Sequence, residues 1–293
     1  MDVPFTKMHG LGNDFMVIDN RAQSYQLNPD IIRRWANRKT GIGFDQLLMV
    51  QEPSVDGALF DYRIFNADGL EVEHCGNGAR CFARYVTDRG MTDASSIPVN
   101  TLAGLLTLRL LDNGEVTVNM GVPHFAPAQI PLLANAEHVQ YRLPLSTNQA
   151  TASDGIVTQS NSQLDQVHFG AASIGNPHAV VLVDDVDTAP VETLGPILES
   201  HAVFPARVNV SFMQVLTDNE VRLRVFERGV GETAACGTGA CASVAVGVRQ
   251  SLLQREVTVI LRGGKLTIVW PKNNKTIEMT GPCSTVFEGQ TRM

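Results

Sequence analysis

The chain has 293 residues, of which 44% are hydrophobic and 18% charged, enough to bury a sizeable core as one large domain or two. A net charge of −7 with no run of Lys or Arg gives no reason to expect nucleic acid or an acidic membrane as partner. The opening Met1–Phe5 has neither a basic flank nor a signal-like apolar stretch, and no segment approaches the roughly 18 apolar residues that span a bilayer, so a soluble cytoplasmic protein is expected.

Along the chain, Phe15–Asp19 reads as a short apolar strand, and Asn28-Pro29-Asp30 opens a helix, with Asn as N-cap, Pro at the first position and Asp in the first turn. Strands follow at Gln46–Val50 and Phe60–Phe65, then a Cys75-Gly loop and a helix that Gly90 is placed to end. Leu105–Leu111 and Glu115–Met120 are strand-like runs about the turn Asp112-Asn113-Gly114. Ser146–Gln166 is rich in Ser, Thr, Asn and Gln and reads as a surface excursion near the junction of two halves.

The same order then starts again. Ala179–Val183 is a strand, Thr188-Ala-Pro190 leads into a helix over Val191–Ser200, and Val208–Val215 and Val221–Glu227 are strands before a second Cys-Gly loop and helix. Glu256–Leu261 and Lys265–Trp270 flank the turn Gly263-Gly264. Many strands with short turns and few helices predict an α+β fold with mainly antiparallel sheets.

That repetition is also written in residues. Arg63-Ile-Phe-Asn-Ala-Asp-Gly-Leu-Glu-Val-Glu-His-Cys75-Gly-Asn-Gly-Ala79 aligns without a gap on Arg224-Val-Phe-Glu-Arg-Gly-Val-Gly-Glu-Thr-Ala-Ala-Cys236-Gly-Thr-Gly-Ala240, 161 residues later. Gly12-Asn13 matches Gly175-Asn176 and Gln46 matches Asn209, each 163 residues apart. A period this long means two similar lobes rather than a solenoid. We expect pseudo-symmetric lobes over 1–130, carrying Cys75, and 131–293, carrying Cys236, with the last residues able to pack back on the first lobe.

Five cysteines without a secretory signal argue against a disulfide framework. In Cys-Gly-X-Gly between a strand and a helix, the glycines permit a tight turn and the helix offers unsatisfied N–H groups and the positive end of its dipole. A cysteine there is favoured as thiolate, and the same N–H groups can hold a carboxylate. Inverting a stereocentre needs a base on one face of a carbon and an acid of matched type on the other, which two such loops facing across a cleft would supply. Neither a pyridoxal phosphate lysine signature nor a dinucleotide fingerprint is evident, so no cofactor or metal is expected, and helix-end N–H groups must stabilise the carbanion.

The motifs Met8-His-Gly-Leu-Gly-Asn-Asp-Phe15, Gly43-Phe-Asp-Gln-Leu47, Phe65-Asn-Ala-Asp-Gly69, Cys75-Gly-Asn-Gly-Ala-Arg-Cys81, Gly175-Asn-Pro-His178, Glu227-Arg228, Gly231-Glu-Thr233, Ala235-Cys-Gly-Thr-Gly239 and Met279-Thr-Gly-Pro282 together resemble the diaminopimelate epimerase family. The resemblance runs nearly end to end. It implies interconversion of L,L- and meso-diaminopimelate for lysine and cell-wall precursor synthesis, two lobes each with a sheet around a central helix, and a homodimer. It makes Cys75 and Cys236 the catalytic acid/base pair and Gly76, Asn77, Gly237 and Thr238 the carboxylate cradle. It gives Asn13, Gln46, Asn66, Asn176, Asn209, Glu227 and Arg228 substrate contacts, and makes His178 and Glu227 tuners of the cysteines. His74, just before Cys75, either favours its thiolate further or points to solvent.

Plainer readings hold elsewhere. Cys81, Cys241 and Cys283 lack the Cys-Gly-X-Gly frame and are expected to be small buried hydrophobes. Asn13 with Gly12 is also good turn chemistry, Arg63 and Arg224 suit a scaffold salt bridge as well as a substrate contact, and Glu227-Arg228 can form a surface ion pair. Two other functions fit the cysteine pair: a proline-racemase-like isomerase, and a non-enzymatic thiol sensor. The first would leave Asn66, Asn176, Asn209 and Arg228 unpaired; the second would show no α-proton exchange.

Overall fold

The computed structural model describes residues 1–73, 75–145, 153–154, 166–272 and 275–293, so His74 and most of the Ser146–Gln166 stretch lie outside the described residues. The chain divides into two compact units, one of Met1–Asn119 with Thr280–Met293 and one of Met120–Met279.

The first unit starts with a hairpin of β1 (Asp2–Gly10) and β2 (Asn13–Asp19). Its two-residue turn, Leu11-Gly12, is left-handed at both positions (φ 57° and 89°), as the twist of a tight hairpin demands. Helix α1 (Pro29–Ala36) follows, capped as expected by the Asn28 side chain, which accepts from Ile31 N at 2.9 Å. Then come β3 (Gln46–Gln51), β4 (Phe60–Asn66), helix α2 (Gly76–Asp88), β5 (Ser96–Thr101), β6 (Gly104–Leu110) and β7 (Val116–Asn119). Strands joined by turns pair antiparallel (β1–β2, β3–β4, β5–β6, β6–β7). The parallel pairs β2–β3 and β4–β5 are those bridged by a helix, since a parallel join needs a crossover.

Helix α2 packs against β1, β2, β3, β6 and β7, and is therefore buried nearly all round. Helix α1 lies with Ile32 and Trp35 against Met16, Ile18, Leu47, Met49 and Phe65. Covered by a helix on each face, β3 is buried along four consecutive residues, Leu47–Val50, instead of alternating.

The second unit begins with a short 3-10 turn, Pro127–Gln129, and strands β8 (Tyr141–Pro144), β9 (Ser153–Asp154) and β10 (Gln166–Ser173). From β10 it repeats the plan of the first: β11 (Pro177–Leu182), α3 (Val191–Glu199), β12 (Asn209–Thr217), β13 (Glu220–Glu227), a short β14 (Gly231–Thr233), α4 (Gly237–Arg249), β15 (Glu256–Leu261) and β16 (Gly264–Val269). Antiparallel β10–β11, β12–β13 and β15–β16 alternate with parallel β11–β12 and β13–β15, the latter again bridged by α3 and α4. The central helix α4, built of Gly, Ala, Ser, Cys and Val apart from Thr238 and the terminal Arg249, is thin enough to be enclosed, and packs on β10, β11, β12 and β16. Helix α3 has no side-chain cap, because Pro190 itself occupies the N-cap.

The chain leaves the second unit through β17 (Glu278–Gly281), and its last strand, β18 (Ser284–Arg292), pairs antiparallel with β1. The architecture is thus α+β, with a mainly antiparallel sheet around a central helix in each unit. Among the described residues no helix is long and apolar enough to cross a membrane.

Candidate active site

In the first unit Cys75 is the N-cap of α2. Its backbone is extended (φ −145°, ψ 104°), and Sγ accepts a hydrogen bond from Gly78 N at 3.3 Å. Serine or aspartate oxygen usually fills this role; a sulfur there sits at the positive end of the helix dipole, where a thiolate is favoured.

The hairpin turn delivers Asn13 to the first position of β2, and Gln46 and Asn66 occupy the neighbouring ends of β3 and β4, opposite each other in register. All three therefore lie on one edge of the sheet. The Cys75 thiol faces Asn13 Oδ1 at 3.9 Å, which also accepts from Asn77 Nδ2 at 3.3 Å, while Asn13 Nδ2 donates to Asp45 Oδ2 at 2.8 Å. Gln46 Nε2 donates to Asn66 Oδ1 at 2.9 Å, and Gln46 Oε1 is a buried acceptor with no partner. An unsatisfied buried oxygen is costly and marks a place for a donor to arrive. Beneath this edge Asp14 is fixed by Lys7 and Arg38; burial alone would raise its carboxyl, but those hydrogen bonds and charges outweigh it and hold it at about 2.

In the second unit Cys236 occupies the N-cap position of α4 in a similar extended conformation (φ −121°, ψ 110°). Its environment differs. The side chain is 4% exposed, and burial first, then the neighbouring Glu227 carboxylate, push the thiol well above its ordinary value. The Thr238 hydroxyl, 3.5 Å from Sγ, and the Gly239 backbone N–H pull the other way and lose. Glu227 also accepts from the Thr233 hydroxyl.

Asn176 ends the β10–β11 turn, where it donates from Nδ2 to Thr238 Oγ1 at 3.3 Å and meets His178 Nε2 at 2.9 Å through Oδ1. With Oδ1 as acceptor, Nε2 carries the imidazole hydrogen. Fully buried, His178 is held neutral, its pKa lowered to about 3 by desolvation and then by the charge of Arg228, and its Nδ1 has no hydrogen-bond partner. Asn209, the first residue of β12, donates to Pro177 O at 3.1 Å and accepts from Arg228 N at 2.9 Å. The Arg228 guanidinium donates to Ala206 O at 2.8 Å, so Glu227 and Arg228 turn to different partners.

Within each unit, then, the residues singled out from the sequence gather at the start of the central helix. Arg63 and Arg224 are scaffold: each forks onto the carboxylate eight residues downstream, Glu71 and Glu232. Cys81 and Cys241 are core residues, whereas Cys283 is only half-buried and donates to Arg80 O at 3.3 Å. Residues that the sequence reading passed over are Asp45, Thr233 and the wholly buried Arg80. Each stood inside a quoted motif, but charge or polarity alone did not say which would turn inward.

Comparison with solved structures shows the class of fold. The chain superposes on a PhzF-family phenazine biosynthesis protein from Bacillus anthracis (16% identity, TM-score 0.67, all of both chains). It also superposes on a predicted epimerase from Pseudomonas aeruginosa (14%, TM-score 0.68, 99% of each) and a hydroxyproline epimerase from Agrobacterium vitis (18%, TM-score 0.63, 99% of this chain and 92% of that one). These describe a duplicated α+β fold shared by proteins of widely divergent sequence. Within it, the family model for diaminopimelate epimerase matches residues 5–126 and 170–286. The chain is 52% identical over all 293 residues to a diaminopimelate epimerase of Chromobacterium violaceum, and 51% identical to that of Nitrosomonas europaea, covering 99% of this chain and 98% of that one. The chain belongs to the diaminopimelate epimerase family.

Proposed function

We propose that this chain interconverts L,L- and meso-diaminopimelate by cofactor-independent two-base proton transfer at one α-carbon, in lysine and peptidoglycan precursor synthesis. The observation that carries this reading is the pair of helix-capping cysteines, Cys75 and Cys236, at matched positions of two repeated units in a chain about half identical to relatives of that name. The reading includes a cytoplasmic homodimer, which the family resemblance supports.

Cys75 is the better thiolate, because its sulfur accepts a helix N–H while remaining partly exposed; Cys236 is the better thiol, because burial and Glu227 keep its proton on. In one direction the Cys75 thiolate takes the α-proton, forming S–H as the C–H bond breaks. The Cys236 thiol gives its proton to the opposite face, forming the new C–H bond. The reverse reaction exchanges the roles, and groups of one chemical type suit a reaction whose two ends are nearly equal in energy.

Charge arriving on the α-carboxylate is met by the N–H groups of Gly76 and Asn77 at the start of α2 and of Gly237 and Thr238 at the start of α4. The distal amino-carboxylate end needs an ammonium acceptor and a carboxylate donor. The unsatisfied Gln46 Oε1 and the Glu227 carboxylate suit the first, and Arg228 with Asn66, Asn176 and Asn209 the second. A small cyclic imino acid would leave these groups unpaired, which disfavours a proline-type substrate.

Proton NMR of L,L-diaminopimelate with reduced protein in D₂O tests the reading. Deuterium entering one α-position as the meso isomer appears is expected; no exchange by folded, fully reduced protein would reject the substrate, and exchange with proline instead would favour the racemase reading. Either cysteine replaced by Ser should abolish net inversion, since serine is a poor carbon base near neutrality.

A further inference from the structure

Arg80 is fully buried on the second turn of α2, where Nε donates to Pro282 O at 3.1 Å and Nη2 to Asn77 Oδ1 at 3.0 Å. Space for the guanidinium depends on Gly10, where a Cβ would stand 3.0 Å from Nη2. Enclosing a guanidinium costs solvation, so its position calls for a reason beyond filling volume.

The reason lies in the direction of the hydrogen bonds. A guanidinium only donates, and a carboxylate only accepts. Between Arg80 and Asp45 stand two amides, each of which can turn either way. With Arg80 donating to Asn77 Oδ1, Asn77 must offer Nδ2, which it gives to Asn13 Oδ1 at 3.3 Å; Asn13 must then offer Nδ2, which goes to Asp45 Oδ2 at 2.8 Å. An obligate donor at one end and an obligate acceptor at the other leave the chain a single polarity. The Cys75 thiol faces the middle oxygen, Asn13 Oδ1, at 3.9 Å.

We propose that Arg80 is a positioning residue for the Cys75 half of the site: with Asp45 it forces one orientation on the Asn77 and Asn13 amides, so that Cys75 meets an oxygen and never an N–H from Asn13. The second unit fixes its own amide from another place. There Asn176 meets Thr238, and the orienting group is the neutral His178; the position matching Arg80 by the repeat is the buried Cys241. The position that holds a buried guanidinium in the first half thus holds a buried thiol in the second. The proposal rests on the reading of Cys75 as a proton-transfer group.

The two ends of the chain predict effects of opposite sign on Cys75, readable as iodoacetamide alkylation rates of Cys75 and Cys236 in the free full-length protein, each peptide quantified by mass spectrometry. Arg80→Gln removes the charge and the obligate donor and should slow Cys75 alkylation at neutral pH by about fivefold or more, with Cys236 unchanged. Arg80→Lys, still a pure donor, should restore much of that rate. Asp45→Asn, at a side chain 44% exposed, leaves Arg80 to hold both amides but removes the negative charge at the other end, and should speed Cys75 alkylation. The double variant Arg80→Gln/Asp45→Asn, which frees Asn13 to turn an N–H toward the sulfur, should react faster than Arg80→Gln. If Arg80→Gln fails to fold, Asp45→Asn decides alone. A Cys75 rate that is unchanged or lower in folded Asp45→Asn, or unchanged or higher in folded Arg80→Gln, overturns the proposal. Retained epimerase activity in Cys75→Ser would overturn the catalytic reading instead, leaving the alkylation comparison valid.

Discussion

Arg224 grips Glu232 through two parallel N–H···O bonds of 2.7 and 2.8 Å, and 161 residues earlier Arg63 grips Glu71 in the same way, at 2.7 Å for both. Each fork ties the fourth-from-last residue of a strand to the segment that precedes the capping cysteine, and so sets the approach of the chain to its central helix. The pairs differ in exposure: side chains of 19% and 11% in the second unit, against 39% and 22% in the first. Glu232 also accepts from Arg262 at 3.1 Å. Removing a partner from the drier pair strands a charge, so Glu232→Gln should destabilise by about 1–3 kcal/mol. Glu71→Gln should cost about 1 kcal/mol or less. Urea denaturation of the two variants checks the order; equal losses would mean that exposure does not govern these forks.

The two catalytic candidates should be chemically unequal before substrate arrives. Cys75 is partly exposed and takes an N–H bond on sulfur, whereas Cys236 is buried and pushed up by desolvation and Glu227. Iodoacetamide at neutral pH should therefore label Cys75 about tenfold faster or more, since the thiolate is the reacting form. Glu227→Gln should narrow the gap by removing the negative charge beside Cys236. Faster labelling of Cys236 in the wild-type protein would contradict the assignment of resting thiolate to Cys75.

His178 makes acid sensitivity specific to one side chain. Its ordinary value is 6.5, and in the folded chain burial holds it at about 3. Between these values the unfolded chain binds the extra proton, so stability should fall as pH drops from about 6.5 toward 3, by up to about 1.4 kcal/mol per pH unit, and be unaffected by this group above that window. His178→Gln should flatten the slope between pH 6.5 and 4 in denaturant titrations. Asp14 acts lower down: held at about 2 against 3.8, it contributes stability that is complete above about 4 and is lost below it. An unchanged slope in His178→Gln would refute the buried neutral imidazole.

Gly78 and Gly239 occupy equivalent turns of the two central helices but not equivalent spaces. A Cβ at Gly78 would lie 2.5 Å from the Tyr62 hydroxyl, whereas at Gly239 its nearest contacts, with Cys236 and Val225, are 3.3 Å away. Gly78→Ala should therefore cost about 1–3 kcal/mol through overpacking. Gly239→Ala should cost less, because a small adjustment suffices and Ala is the better helix former. Thermal denaturation of both variants is the check, and a more damaged Gly239→Ala would reverse the argument.

Much of this was legible in the chain because duplication wrote the same instructions twice. Asn28-Pro29 and Gly90 marked helix ends through local backbone chemistry, and Asp112-Asn113-Gly114 and Gly263-Gly264 marked turns for the same reason. The strands β1, β5, β10 and β18 were harder: Pro98 interrupts β5, and β18 is largely exposed, so neither shows the period of a half-buried strand. Arg80 escaped because nothing local distinguishes a helical arginine that faces solvent from one enclosed by a sheet. Its burial is decided by β1 and by residues near 282, distant in sequence.

The pairing of β18 with β1 joins the last residues of the chain to the first, Arg292 opposite Asp2. The unit of Met1–Asn119 is therefore left with an open sheet edge until Thr280–Met293 has been made, whereas Met120–Met279 is continuous and leaves the ribosome whole. The half synthesised first is the half finished last. A chain cut short by a dozen residues would keep both cysteines and every amide of the site, yet bare the backbone of its opening strand.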